Sequence, residues 1–220
     1  MSLWKQKASS GGGGDWELPP EGNHSAVCVA VIDLGTHVES YQGVSKEARK
    51  LYLAWELIGH QTKQGGPHIV CNQYTVSFNE KAKLRQLLET WRGKKFVEGE
   101  EFDISRIVGM PCFLQVSHAK SGSGNDIYKI DAVTTIPKGI QPPKPTVKPI
   151  LWEIEGSEPV PSQDWLPFLY GKKVAEKIGD SIEKRGNAKP AQNTTTQAQK
   201  PQQQQPAQTE VTAAEEPLPF

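Results

Sequence analysis

Three cysteines and five histidines are the residues of this 220-residue chain with the broadest chemical range. Cys28, Cys71 and Cys112, with His24, His68 and His118, carry the atoms zinc prefers, but their spacing matches no zinc site. Each cysteine also falls inside a β-prone run, which reads as a buried thiol. There is no C-x-x-C pair, and an odd number of thiols suits a reducing compartment such as the cytoplasm. Asp33, Asp103, Asp126 and Asp131 form no recognisable nuclease cluster. No Walker A pattern and no G-x-G-x-x-G opening a helix occur. Ser121-Gly-Ser-Gly124 lacks the strand-to-helix setting of a nucleophile elbow. The chain therefore reads as a non-enzyme, and no metal or cofactor is expected.

The other chemistry these residues could do is binding. Holding a single strand without sequence preference needs cations along the phosphates and flat aromatic faces for the bases. Arg49, Lys50 and Tyr52 stand together on one predicted strand, with Lys50 and Tyr52 on the same face. Gln73 belongs to the polar set of the next strand, and Tyr74 beside it suits either core or groove. Arg92-Gly-Lys-Lys95 is a compact basic cluster, read equally well as a solvated helix end, where cations favour the C-terminal dipole. Lys120, Tyr128 and Lys129 flank a Ser-Gly loop, where Tyr128 could stack or pack.

The elements that must position these residues follow from periodicity. Ser25–Asp33 is a continuous β-prone run ending at Gly35. Arg49–Leu57 alternates: Leu51, Leu53, Trp55 and Leu57 on one face, Lys50, Tyr52, Ala54 and Glu56 on the other, which places Trp55 in the core. His68–Phe78, Pro111–His118 and Asp126–Ile136 complete five strands, the last two joined by the hairpin loop 121–124. One helix interrupts them, with Ser77-x-x-Glu80 as a capping box, Leu84, Leu87, Leu88 and Trp91 at helical spacing, and Gly93 at the C-terminus. The expected fold is mainly β: a five-stranded oligonucleotide-binding barrel with a helix between strands 3 and 4. The expected divisions are a Gly-rich arm (1–21), the barrel (22–139), a proline-rich linker with one apolar patch at Ile150-Leu-Trp152 (140–162), a short helical segment (163–185) and a disordered Gln/Pro-rich tail (186–220). No run of about 18 apolar residues is present, so no membrane span is expected.

Two resemblances add to this reading. The tail ends Glu215-Glu216-Pro217-Leu218-Pro219-Phe220, which resembles the acidic Pro-Phe tip of bacterial single-stranded-DNA-binding proteins. Such a tip can seat a phenylalanine in a partner's apolar pocket while its acids steer the encounter. A wider likeness spans about residues 13–185. It rests on Gly13-Gly-Asp-Trp-Glu17, Pro20-Glu-Gly22, the run from His24 to Thr36, Ala48-Arg-Lys50, Ala54-Trp-Glu56, Tyr74-Thr75, Lys83-Leu-Arg85, Trp91-Arg-Gly93, Gly109-Met-Pro111 and Ile136-Pro-Lys-Gly139. Trp165-Leu166, Ile178 and Ser181-x-Glu183 continue it. In these pieces the chain resembles a family of phage-type single-stranded-DNA-binding or replication-initiation proteins. The resemblance implies a barrel that coats single-stranded DNA during phage-type replication or recombination in the host cytoplasm, and recruits replication proteins through its tip. The alternative is a protein–protein adaptor of the replication machinery with little DNA affinity. A homo-oligomer is compatible with either.

Charge bears on the choice. The net charge is zero, but residues 22–139 hold 14 cations and 12 anions, whereas residues 191–220 hold 1 and 3. A slightly basic body is joined to an acidic end, so neutrality does not exclude nucleic acid.

Overall fold

A strand covered on both faces needs apolar residues at nearly every position, and Ala26–Leu34 is such a run. In the computed structural model, which describes residues 17–41 and 43–186, this run forms the middle of β1 (Gly22–Tyr41). β1 pairs antiparallel with β2 (Val44–Gln61), and β2 with β3 (Pro67–Thr75). The first part of β1 also pairs antiparallel with β4 (Pro111–Lys120), which forms a hairpin with β5 (Asp126–Thr134). Beyond a register shift between Cys28 and Ala30, β1 takes a different neighbour, the parallel strand β6 (Ile150–Trp152). A bulge of this kind bends a strand, and here it marks the change of partner. The result is a six-stranded sheet in the order β3-β2-β1-β4-β5, with β6 beside β1.

The fold is therefore mainly β, with a helix between the third and fourth strands. Among the described residues no backbone ladder joins β3 to β5, so the sheet is not closed as a barrel. α1 (Lys83–Arg92) buries Leu84, Leu88 and Trp91 and ends at Gly93, whose left-handed backbone caps it. The expected capping box does not form: the helix starts six residues after Ser77, at Lys83, with Ala82 in the cap position and no side-chain cap. Ser77 instead accepts a hydrogen bond from the backbone of Asn79. A short 3-10 turn (Ile104–Ile107) leads into β4.

Two apolar clusters lie on opposite faces of the β1–β2 ribbon. The inner one gathers Leu51, Leu53, Trp55 and Leu57 of β2 with Leu84, Leu88 and Trp91 of α1 and Leu114 and Val116 of β4. The outer one gathers Ile32, Leu34, Tyr52, Ala54 and Cys71 with Trp152, Ile154, Leu169, Val174 and Ile178. Residues 147–178, expected to be a linker and a separate helical segment, thus supply the cover of the outer face. Two short helices, α2 (Val174–Gly179) and α3 (Ile182–Arg185), end that segment.

Buried polar groups fix this cover in place. The Glu56 carboxylate, on the outer face of β2, accepts hydrogen bonds from the backbone N–H groups of Thr146 and Val147 and from the Thr146 hydroxyl. Gly35 has a positive φ of 78°, and a β-carbon there would come within 2.6 Å of both Ile154 and Ser181. The backbone N–H and hydroxyl of Thr36 donate to Glu183. No helix among the described residues is long and apolar enough to cross a membrane.

Candidate nucleic-acid interface

On β2, Lys50 and Tyr52 share the outer face, but that face is not open. Tyr52 is 0% exposed and Lys50 4%. The Tyr52 hydroxyl donates to the Pro167 carbonyl at 3.2 Å, and burial pushes its pKa up. Lys50 donates to Thr75 at 2.7 Å and pairs with Glu39 at 2.6 Å. Arg49 is half-exposed, with its guanidinium on Asp33 at 2.5 Å. The expectation of Lys50 and Tyr52 as surface contacts is therefore corrected: the C-terminal segment lies over Tyr52, and Lys50 is buried with Glu39 and Thr75 as its partners. Tyr74 is buried in the inner cluster, which settles it as core. Gln73, opposite Tyr52 in the ladder, is half-buried.

Tyr128 packs rather than stacks. Its hydroxyl accepts the Cys71 N–H at 2.8 Å and donates to the Cys71 carbonyl at 3.1 Å. One side chain of β5 thus satisfies backbone groups on the free edge of β3. Lys120 and Lys129, on the β4–β5 hairpin, are exposed; Lys120 pairs with Asp126 at 2.6 Å. At the end of α1, Arg92 pairs with Glu100 at 2.6 Å, and its guanidinium lies 4.4 Å from the Phe96 ring centroid. That pairing holds the Glu100 carboxyl below its ordinary range. Lys94 and Lys95 beside it are exposed. Lys94, Lys95 and Lys129 make no ion pair among the described residues.

The predicted residues are thus divided among three places: the covered face of β2, the end of α1 and the β4–β5 hairpin. The tip, residues 215–220, lies outside the described residues. The three cysteines are buried, and burial pushes each thiol's pKa up.

Two features escaped the sequence reading. The first is the turn at Leu169–Lys172, where Tyr170 is 74% exposed and Phe168, just before it, 61%. Its signal was two aromatics flanking one leucine, then Gly171-Lys-Lys173. The second lies at the other end of β3. The His24 Nε2–H donates to the Pro20 carbonyl at 2.9 Å, leaving Nδ1 to accept from His60 Nε2–H at 3.0 Å. His68 faces Glu17 at 4.0 Å, and His118 donates to the Pro19 carbonyl at 2.8 Å. Burial lowers the pKa of both His24 and His68. Four histidines, one from each of β1 to β4, thus gather at one end of the sheet, three of them against residues 17–20.

Compared with known proteins, the chain matches no protein-family model and no curated protein.

Proposed function

We propose that this protein binds single-stranded DNA. The observation that carries the reading is the strand order β3-β2-β1-β4-β5 with a helix between the third and fourth strands. That is the order of the Greek-key oligonucleotide-binding barrel. We read the sheet as this fold, open between β3 and β5 and bridged there by Tyr128. In such barrels the loop between the last two strands helps to hold nucleic acid, and here that loop is flanked by the exposed Lys120 and Lys129. Lys94 and Lys95 add exposed cations that make no ion pair among the described residues. The setting implied by the sequence resemblance is phage-type replication or recombination, with residues 215–220 recruiting a replication protein.

The test is fluorescence anisotropy of a labelled poly(dT) oligonucleotide over a salt series, with poly(U) alongside. Binding should tighten steeply as salt falls, because each phosphate contact releases condensed counterions. Absence of binding below about 10 µM at low salt, within the scale of ordinary non-specific affinity, overturns the reading.

A further inference from the structure

The Leu169–Lys172 turn is held from below at several points. The carbonyls of Pro167 and Phe168 accept from the Tyr52 hydroxyl at 3.2 Å and the Cys71 thiol at 3.8 Å. Leu169 before the turn, and Val174 and Ile178 after it, are buried in the outer cluster. Leu169 and Lys172 exchange backbone hydrogen bonds of 2.8 and 3.1 Å, closing a two-residue turn over Tyr170 and Gly171. Both central residues have positive φ, 50° and 74°. Such turns favour asparagine or glycine at the first central position, because a β-carbon there crowds the backbone. Tyr170 is the one non-glycine residue with positive φ among the described residues.

A bulky residue in this conformation is unfavourable, and its ring returns little packing, since it is 74% exposed. Phe168 is 61% exposed beside it. Two flat rings are thus displayed on a rigid support. Around them lie cations and an acid, Glu39, which acts on the Tyr170 hydroxyl but is itself paired with Lys50. The Lys177 ammonium lies 5.7 Å from the Tyr170 ring centroid, and Lys173 is exposed. Neither makes an ion pair among the described residues, whereas the nearby Asp180 is already held by Lys172 and Arg185. Glu176, on α2, is a neighbouring acid that makes no ion pair among the described residues.

We infer that Phe168 and Tyr170 form a base-stacking platform for single-stranded nucleic acid, with Lys173 and Lys177 placed to receive the flanking phosphates. The inference rests on the reading of the protein as a single-strand binder and assigns it a site on the C-terminal segment. Exposed rings, one of them with a lysine ammonium against it, fit a strand of bases and phosphates better than an aliphatic protein surface. The site also accounts for the covered face of β2: Tyr52 does not touch the strand but supports the turn that does.

The experiment uses the full chain and two labelled oligonucleotides, one of thymidines and one with abasic positions. Tyr170→Asn keeps a residue suited to the left-handed turn and removes the ring. It should raise or preserve the thermal midpoint while weakening thymidine binding by about 5- to 150-fold, the range expected for one lost stack. Against the abasic strand the variant and the parent should bind alike. Lys173→Ala with Lys177→Ala should weaken both strands and flatten the salt dependence. Unchanged thymidine affinity in Tyr170→Asn overturns the platform while leaving the single-strand reading standing. A parent protein that binds neither strand overturns both. Self-association that is abolished by Tyr170→Asn, with DNA affinity unchanged, assigns the rings to a protein contact and also overturns the platform.

Discussion

The two faces of the β1–β2 ribbon are equally buried but covered from different distances along the chain. The inner face is covered mainly by α1 and the strands that flank it in sequence. The outer face is covered by residues 147–178, about a hundred positions after the β2 residues they touch. The inner face shows the ordinary signature of a core, leucines and a tryptophan at alternate positions. The outer one mixes Tyr52, Ala54 and Cys71 with two buried charged residues, Lys50 and Glu56. A face that must both bury apolar surface and anchor a proline-rich segment needs polar groups for that segment's backbone, and Glu56 serves this purpose.

The sharpest way to break the comparison is to truncate one core residue on each face. Leu53→Ala on the inner face and Ile178→Ala on the outer face should each cost about 2–5 kcal/mol, the range for buried large-to-small changes. If the two faces belong to one cooperative unit, both variants shift a single transition followed by circular dichroism and tryptophan fluorescence. A separate early transition in Ile178→Ala, with residues 147–186 opened to protease first, would show the outer cover to be a dispensable layer. Gly35→Ala attacks the outer face alone. Its left-handed backbone costs about 1–2 kcal/mol with any β-carbon, and the added atom must displace Ile154 and Ser181. Hydrogen exchange should then rise in residues 150–186 and stay low in α1. A rise confined to α1 would refute the assignment.

What was legible follows the same division. The alternation Leu51, Leu53, Trp55, Leu57 places the inner core, and Gly93 marks the end of α1, because in both cases the partner is local. The loop at 121–124 is equally local. The outer core was hidden because its cover reads as linker: Ile150-Leu-Trp152 is flanked by prolines, and nothing in a polyproline-like stretch indicates that it pairs parallel with β1. Tyr52 reads as solvent-facing in the sequence for the same reason. Lys50 and Tyr52 do share one face, but Tyr52 is covered by a segment 115 residues away, and Lys50 pairs with Glu39 and Thr75. The turn that displays Tyr170 could not be read either, because a tyrosine at positive φ contradicts the local preference.

The histidines at one end of the sheet allow a comparison by pH. His24 and His68 have pKa values lowered from 6.5, chiefly by burial, so the folded state prefers them neutral. The unfolded chain therefore binds more protons below about pH 6.5, and stability falls as the solution is acidified. It is fully present above that pH and is lost as pH drops through the lowered folded values. Protonation also sets two donors against each other across the His24–His60 contact of 3.0 Å. The thermal midpoint should drop between pH 7.5 and 5.5, and the loss should shrink in His24→Gln. An equal loss in that variant would move the effect to other groups.

The smallest change separates the two roles open to Tyr52. Tyr52→Phe keeps the buried ring and removes only the hydroxyl that holds the Pro167 carbonyl. Losing one such hydrogen bond costs about 0.5–1.5 kcal/mol. If Tyr52 is a support, amide exchange should quicken at residues 168–172, and oligonucleotide affinity should fall less than in Tyr170→Asn, since Phe168 and Tyr170 are still present. If Tyr52 is itself a contact that the C-terminal segment uncovers when DNA arrives, the order reverses. The looser cover would then bind DNA more readily, and affinity would rise as exchange rises. The direction of the affinity change therefore decides whether the outer face of β2 is the foundation of the site or the site itself.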